Sequence, residues 1–139
     1  MKLLLDTQIW LWMQASPERL SASARDMVDN QDNVLLLSPV SAWEIATKYA
    51  LGRLTLPIPP AEYVPSRMKS SGVDALPLQH SHALQVATLP WHHRDPFDRL
   101  LIAQAQVERL PILSANHQLA AYDVQIQFVS AGASSSAPV

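Results

Sequence analysis

Short apolar runs alternate with longer stretches of helical periodicity along most of the chain. Leu3–Leu5 is a run of three leucines that stops at Asp6. It is too short for a helix and reads as a buried strand. Thr7 is placed to cap a helix through Met13 or beyond. Pro17 breaks the pattern, and Ser21 opens a second helix that reaches about Asn30. Beyond the polar turn Asn30–Asn33, Val34–Leu37 gives a second buried strand, ended by Ser38-Pro39. The clearest helix opens at Ser41, with Trp43, Ile45, Ala46, Tyr49 and Ala50 at helical spacing and Gly52 near its C-cap. Pro57, Pro59 and Pro60 interrupt the chain, and a helix follows over Ala61–Ser71. Asp74–Leu78 reads as a short strand or extended connection, His80–Thr88 as a helix and Pro90–Asp95 as a loop. Pro96 sits in the first turn of a helix that runs to about Arg109. Ile112–Ser114 is a strand, Gln118–Tyr122 a helical turn and Gln125–Val129 a last strand.

Short all-apolar strands between helices specify an α/β fold: a parallel sheet flanked by helices on both faces. Residues 1–129 make one domain of ordinary size, without internal repeats. Residues 130–139, rich in Ala and Ser, have no apolar surface to bury and are expected to be disordered. With 48% hydrophobic residues the chain supports a core. No run approaches the roughly 20 apolar residues of a membrane span. Asp6 interrupts the N-terminal apolar run before it reaches the length of a signal peptide's core. There is no cysteine, so disulfides are excluded and a cytoplasmic setting without membrane attachment is expected.

A net charge of −2 excludes a globally basic nucleic-acid binder. Any RNA contact is then local. The informative charges are acidic and stand where an open parallel sheet binds its ligands, outside the carboxyl ends of the strands. Asp6 directly follows the first strand, Glu44 lies in the helix after the second, and Asp98 lies in the first turn of the helix from Pro96. Each is crowded by apolar neighbours. Carboxylates that converge in such a place repel one another unless a cation sits between them. Mg²⁺ or Mn²⁺ takes oxygen ligands and suits such a set. Taken singly, the same residues are ordinary: an aspartate that caps a helix, a glutamate on a solvated face, an acid serving a helix dipole. Asp95, just before Pro96, is well placed as an N-cap. His92-His93 does not read as a zinc site, because adjacent side chains point apart and no cysteine or further histidine lies at ligand spacing.

Three segments carry a resemblance: Leu3-Leu4-Leu5-Asp6-Thr7, the stretch from Ser41-Ala42-Trp43-Glu44-Ile45-Ala46 to Leu51-Gly52-Arg53-Leu54, and His93-Arg94-Asp95-Pro96-Phe97-Asp98-Arg99 through Ala105. In this order they resemble the PIN domain, most closely the VapC-type toxins of bacterial toxin–antitoxin pairs. The resemblance covers nearly everything from Lys2 to Val129. It implies a PIN fold, RNA cleavage with Mg²⁺ or Mn²⁺, and a small antitoxin whose peptide blocks the acidic cleft. The family's three leading acids fall on Asp6, Glu44 and Asp98, which are thereby expected to be catalytic and to hold the metal. Its usual fourth acid, in a Thr-x-Asp segment, is replaced by Ser114-Ala115-Asn116. Serine keeps the hydroxyl; asparagine keeps an oxygen but removes a charge. Gln8 stands where many relatives have histidine, and no function is attached to that change.

Asn116, Ser114, Thr7 and Asp95 are expected to support the site or orient water. Arg94 and Arg99 flank the acidic helix start and are expected to contact RNA phosphates. The leading reading is an endoribonuclease toxin. A catalytically weakened PIN module that binds RNA or a protein without cutting is the alternative that Asn116 motivates, and a metal-dependent phosphatase or other small-molecule hydrolase is a third. Finally, Ile9-Trp10-Leu11-Trp12-Met13 is five large apolar residues in a row. Ile9 and Met13, four apart, face the core. At least one of Trp10 and Trp12 is expected at a subunit or antitoxin contact, with a homodimer as the default assembly and Trp43, Tyr49 and Leu54 extending the patch.

Overall fold

The computed structural model describes residues 1–128. The expected tail at residues 130–139 and the last residue of the expected final strand, Val129, lie outside the described residues. Five strands, β1 (Lys2–Leu5), β2 (Val34–Leu37), β3 (Asp74–Ala75), β4 (Ile112–Ser114) and β5 (Ile126–Phe128), form one sheet in the order β3-β2-β1-β4-β5. Every pairing is parallel. The helices are α1 (Thr7–Ala15), α2 (Ala22–Asp29), α3 (Pro39–Ala50), α4 (Pro60–Ser71), α5 (His80–Gln85) and α6 (Pro96–Glu108).

The alternation of side chains along the strands explains why β1 and β2 each carry three consecutive leucines. Leu3, Leu5, Leu35 and Leu37 point to one face and pack with Ile9 and Trp10 of α1, Ile45 of α3 and Tyr63 of α4. Leu4, Leu36 and Ile112 point to the other and pack with Leu101 and Ile102 of α6. Both faces are therefore covered, as a parallel sheet requires. The strand order reverses direction beside β1: the chain runs outward to β2 and β3 on one side, and to β4 and β5 on the other. The carboxyl ends of β1 and β4 flank the crevice at this switch point.

Several expectations shift in detail. Asp6, not Thr7, is the N-cap residue of α1, and its side chain makes no cap bond. Thr7 is the first helical residue and its hydroxyl donates to Ser41 Oγ at 2.8 Å, tying α1 to α3. Helix α3 starts before Ser41, because Ser38 Oγ accepts the Val40 N–H and Pro39 needs no partner for its missing donor. After α3, Gly52 takes φ 72°, and the Gly52 and Arg53 N–H groups return to the Tyr49 and Lys48 carbonyls. The helix expected over His80–Thr88 is α5 followed by a 3₁₀ turn at Val86–Thr88. The stretch Asp74–Leu78, expected as a short strand or extended connection, is the two-residue β3 followed by a connection that the Gln104 amide holds by donating to the Leu76 and Pro77 carbonyls.

The tryptophan expectation is corrected. Trp10 is 0% and Trp12 8% exposed, both buried inside the one chain. Trp10 meets Tyr63 of α4 edge-on at 6.0 Å, and the Arg19 guanidinium lies 5.6 Å from the centre of the Trp12 ring. The expectation assumed that α1 has one buried face. In the fold α1 lies between the sheet and an outer layer that includes Leu20, Ala24 and Tyr63, so residues on opposite faces are covered alike. Met13 is only partly buried.

Candidate active site

Asp6, Glu44, Asp95, Asp98 and Asn116 line one cleft of about 310 Å³ at the carboxyl edge of the sheet, with Thr7, Lys48 and Arg53. Each arrives by its own local rule. Asp6 leaves β1 in extended conformation and is placed by the last sheet bond, its N–H donating to the Leu113 carbonyl of β4. Glu44 lies in the second turn of α3, whose start is fixed by the Ser38 cap. Asp98 lies in the first turn of α6, held there because the Asp95 carboxylate accepts the Phe97 N–H at 2.9 Å and the Asp98 N–H at 3.2 Å. Asp95 is thus the N-cap and a cleft-lining acid at once. A larger opening of about 510 Å³, bounded by Pro17, Glu18, Arg25 and Asp29, has mixed charges and no convergent donor set.

Ser114, at the end of β4, is fully buried and donates to Asp6 Oδ2 at 2.6 Å. Its oxygen in turn accepts the Asn116 N–H at 2.9 Å. Asn116 Oδ1 accepts the Gln118 N–H at 3.0 Å and caps the following 3₁₀ turn. The Ser114-Ala115-Asn116 segment therefore fixes the Asp6 carboxylate through serine, while asparagine fixes the turn.

The electrostatics are those of an incompletely compensated anion cluster. Burial pushes the Asp6 carboxyl up to about 6, the Ser114 hydrogen bond pulls it down, and the charges of Asp98 and Glu44 raise it further. Asp98 is also raised, first by burial and then by neighbouring carboxylates, against a hydrogen bond from His93. His93 Nε2 lies 2.7 Å from Asp98 Oδ2. One donor atom each of His93, Asp95 and Asp98 lies within 4.8 Å of the others. Lys48 pairs with Glu44 one helical turn away, and that hydrogen bond raises the lysine's pKa.

His93, Lys48 and Arg53 were not singled out for the site from sequence. For Lys48 a signal was present, the Glu-to-Lys spacing of four on a helix. For His93 nothing in the spacing distinguishes a histidine that folds back over Asp98 from a loop residue. Arg99 requires a correction. It is 3% exposed and cannot reach RNA phosphates. It donates to the carbonyls of Pro90, Leu89, His93 and Val86 and to the Tyr122 hydroxyl. Its neighbour in the motif, Arg94, is exposed.

The donor set fits a hard divalent cation. Carboxylates from three elements line the cleft and the most buried of them, Asp6, has an elevated pKa. The ligand atoms that already lie within 4.8 Å of one another are those of His93, Asp95 and Asp98, with Asp6 and Glu44 outside that group.

A family model described as the PIN domain matches residues 3–125. Ribonuclease VapC16 of Mycobacterium tuberculosis is 47% identical over 68 residues, which are 46% of this chain and 48% of that protein. The match thus spans about half the length of that curated relative. Among solved structures, VapBC2 from Rickettsia felis, bound to a DNA fragment from its promoter, is similar with a TM-score of 0.68 at 13% identity, covering 94% of this chain and all of that one. VapBC-1 from nontypeable Haemophilus influenzae is similar with a TM-score of 0.62 at 18% identity, covering 92% of this chain and 98% of that one. At these identities the structural likeness speaks for the fold.

Proposed function

The chain belongs to the PIN domain family, and on that premise we propose that it is a divalent-metal-dependent endoribonuclease, the toxin of a toxin–antitoxin pair. The observation that carries this reading is the convergence of Asp6, Glu44 and Asp98 in one cleft, with Asp6 raised to about 6 by burial and by its two acidic neighbours. Asp6, Asp98 and Glu44 would hold one Mg²⁺ or Mn²⁺. When bound, such an ion supplies Lewis-acid stabilisation of phosphoryl charge and an acidified water.

The protein's own contribution is placement. Ser114 holds one oxygen of Asp6, which sets the direction of the carboxylate. His93 holds one oxygen of Asp98 in the same way. Lys48 keeps Glu44 inside the cleft until a stronger cation competes for it. Asp95 fixes the first turn of α6 and adds negative charge, and Asn116 offers an amide to water or phosphate. Thr7 acts indirectly, by holding the start of α1 to α3. Arg94 remains the phosphate contact. The domain is taken to span residues 1–129. The partners are an RNA substrate, a cognate antitoxin, which the VapBC pairing of the similar structures supports, and a second copy of this chain, for which exposed Trp43 and Tyr49 on α3 offer apolar surface. Among the described residues no helix is long and apolar enough to cross a membrane, and the proposed setting is the cytoplasm.

The test is cleavage of single-stranded RNA by the purified, antitoxin-free chain. Cleavage should require Mg²⁺ or Mn²⁺, stop with EDTA, and be lost in Asp98→Asn. RNA that is bound but not cut with any divalent ion would instead favour the binding module that Asn116 suggests.

A further inference from the structure

Trp91 lies outside the cleft and no role has been given to it. Its side chain is 75% exposed, more than that of any other tryptophan. One face of the indole is nonetheless engaged. The Arg99 guanidinium lies under the ring, 3.8 Å from its centre. The same guanidinium binds the loop backbone on both sides of Trp91, donating to Leu89 O at 3.3 Å, Pro90 O at 2.8 Å and His93 O at 3.3 Å. The Tyr122 hydroxyl donates to the same His93 carbonyl at 3.3 Å. One ring face is thereby occupied by a cation, and the ring as a whole stays largely open to solvent.

The position matters as much as the exposure. His93, two residues on, touches Asp98 in the cleft, and two residues of chain span at most about 7 Å. Arg94 follows, exposed and without an ion pair among the described residues. A rigid, open aromatic ring with a free cation three residues away, beside a phosphodiester-cutting cleft, has the chemistry of single-strand recognition: a base stacks on the ring and the backbone meets the cation. Trp91 has Leu89-Pro90 on one side and His92, His93 and Arg94 on the other, and it is the imidazole and guanidinium side that leads to the cleft through His93. The other exposed tryptophan, Trp43, already has the Phe97 ring against it at 4.5 Å.

We propose that Trp91 is a stacking platform for one nucleobase of single-stranded RNA next to the scissile phosphate, with Arg94 meeting the adjoining backbone. This rests on the ribonuclease reading and adds a base-binding subsite to it. The subsite accepts any base, because every base has a π-face.

The experiment uses the full chain carrying Asp6→Asn, so that RNA is bound without being cut. The probe is a fluorescein-labelled single-stranded RNA of about 15 nucleotides, and a series of it with one abasic position each, read by anisotropy. Adding Trp91→Ala should weaken binding of the intact RNA roughly tenfold, and Trp91→Phe much less. One abasic position should cost the Trp91 protein the same roughly tenfold and cost the Trp91→Ala protein nothing. Trp91→Leu keeps an apolar cover over Arg99. It should bind as weakly as Trp91→Ala while melting with the parent, which separates stacking from loop support. Equal affinity of the Trp91→Leu protein and its parent, or abasic penalties that are the same with and without Trp91, would overturn the platform alone if the wild-type chain still cuts RNA. RNA neither bound by the Asp6→Asn chain nor cut by the wild type would overturn the ribonuclease reading with it. Unchanged RNA affinity with lost capture of another protein would assign the ring to protein docking and overturn the proposal.

Discussion

Asp98 and Arg99 are consecutive residues in the first turns of α6, and the regions they face treat buried charge in opposite ways. Arg99 faces inward and its guanidinium has five oxygen acceptors, four of them backbone carbonyls. No carboxylate among the described residues pairs with it, yet its charge is spread over dipoles already fixed by the fold. Asp98 faces the cleft, where Asp6, Glu44 and Asp95 surround it and the nearby donor is His93. A charge that serves the fold is saturated. The cleft charges are left short of partners, and that deficit is what a cation would relieve. Both ring nitrogens of buried His82 are likewise engaged by the fold: the Gln79 N–H donates to Nδ1, and Nε2 lies 2.8 Å from Glu108 Oε2.

The largest expected effect comes from breaking the saturated side. Arg99→Met fits the space but leaves the Leu89 and Pro90 carbonyls without their donor, while the Tyr122 hydroxyl still donates to the His93 carbonyl and the Leu89 N–H to the Val86 carbonyl. Unsatisfied buried groups cost about 1–3 kcal/mol each, with partial relief from water. The net loss should be about 3–4 kcal/mol in chemical denaturation. Arg99→Lys should recover only part of it, because an ammonium cannot fan donors to acceptors on both sides of a loop. A loss for Arg99→Met no larger than that of a surface substitution would mean the hub contributes little.

The unsaturated side should respond with the opposite sign. Asp6 has a carboxyl raised from 3.8 to about 6 in the folded chain. Between those values the folded state binds more protons than the unfolded one. Stability therefore falls as pH rises from about 4 to about 6, and the destabilisation is complete above that. Asp6→Asn removes it and keeps an acceptor for Ser114. In EDTA at pH 7 the variant should be more stable by about 2–3 kcal/mol, since each pKa unit is worth about 1.4 kcal/mol. The gain should vanish near pH 4, while RNA cleavage drops at least about a hundredfold. Denaturation midpoints across this pH range check the sign, and a variant less stable than wild type at pH 7 would refute it.

The contrast between these regions was only half legible in the sequence. The strands were readable because leucine runs bounded by turn residues have few other fates. The cleft acids were readable because each follows a strand or lies in the first two turns of a helix. Arg99 was misread as a phosphate contact: the motif puts a cation beside an acid, and only the path of the Leu89–His93 backbone shows that it turns inward. The error at Trp10 and Trp12 has a related cause. Periodicity tells which residues share a face of α1, and says nothing of the outer layer that covers the opposite face. His93 reaches Asp98 through loop geometry, which has no period to read.

A smaller effect should follow from completing the acid set. Asn116 spends its oxygen on the Gln118 N–H, a bond that aspartate makes equally well. Asn116→Asp should therefore leave the 3₁₀ turn intact and add one negative charge to the cleft. Calorimetry should show Mn²⁺ bound more tightly, by about tenfold or less, since ligand charge tunes affinity for hard cations. The metal-free protein should be slightly less stable, because the new charge opposes ionisation of Asp6. Unchanged Mn²⁺ affinity would place residue 116 outside the metal's ligand shell.

The smallest effect separates the two arginines of the motif. Arg94 and Arg99 lie five residues apart and carry the same charge, yet one is exposed and the other has no free surface. If Arg94 meets a phosphate, its loss removes one released counterion. Arg94→Ala should lower the slope of log affinity against log salt for single-stranded RNA by about 0.7. Affinity at moderate salt should fall a few-fold and by the same factor for every RNA sequence, because a phosphate contact carries no base information. The melting midpoint should not move, in contrast to Arg99→Met. A lowered midpoint with an unchanged salt slope would show that Arg94 also serves the fold, and the division between a saturated inner side and an open outer side of this loop would not hold.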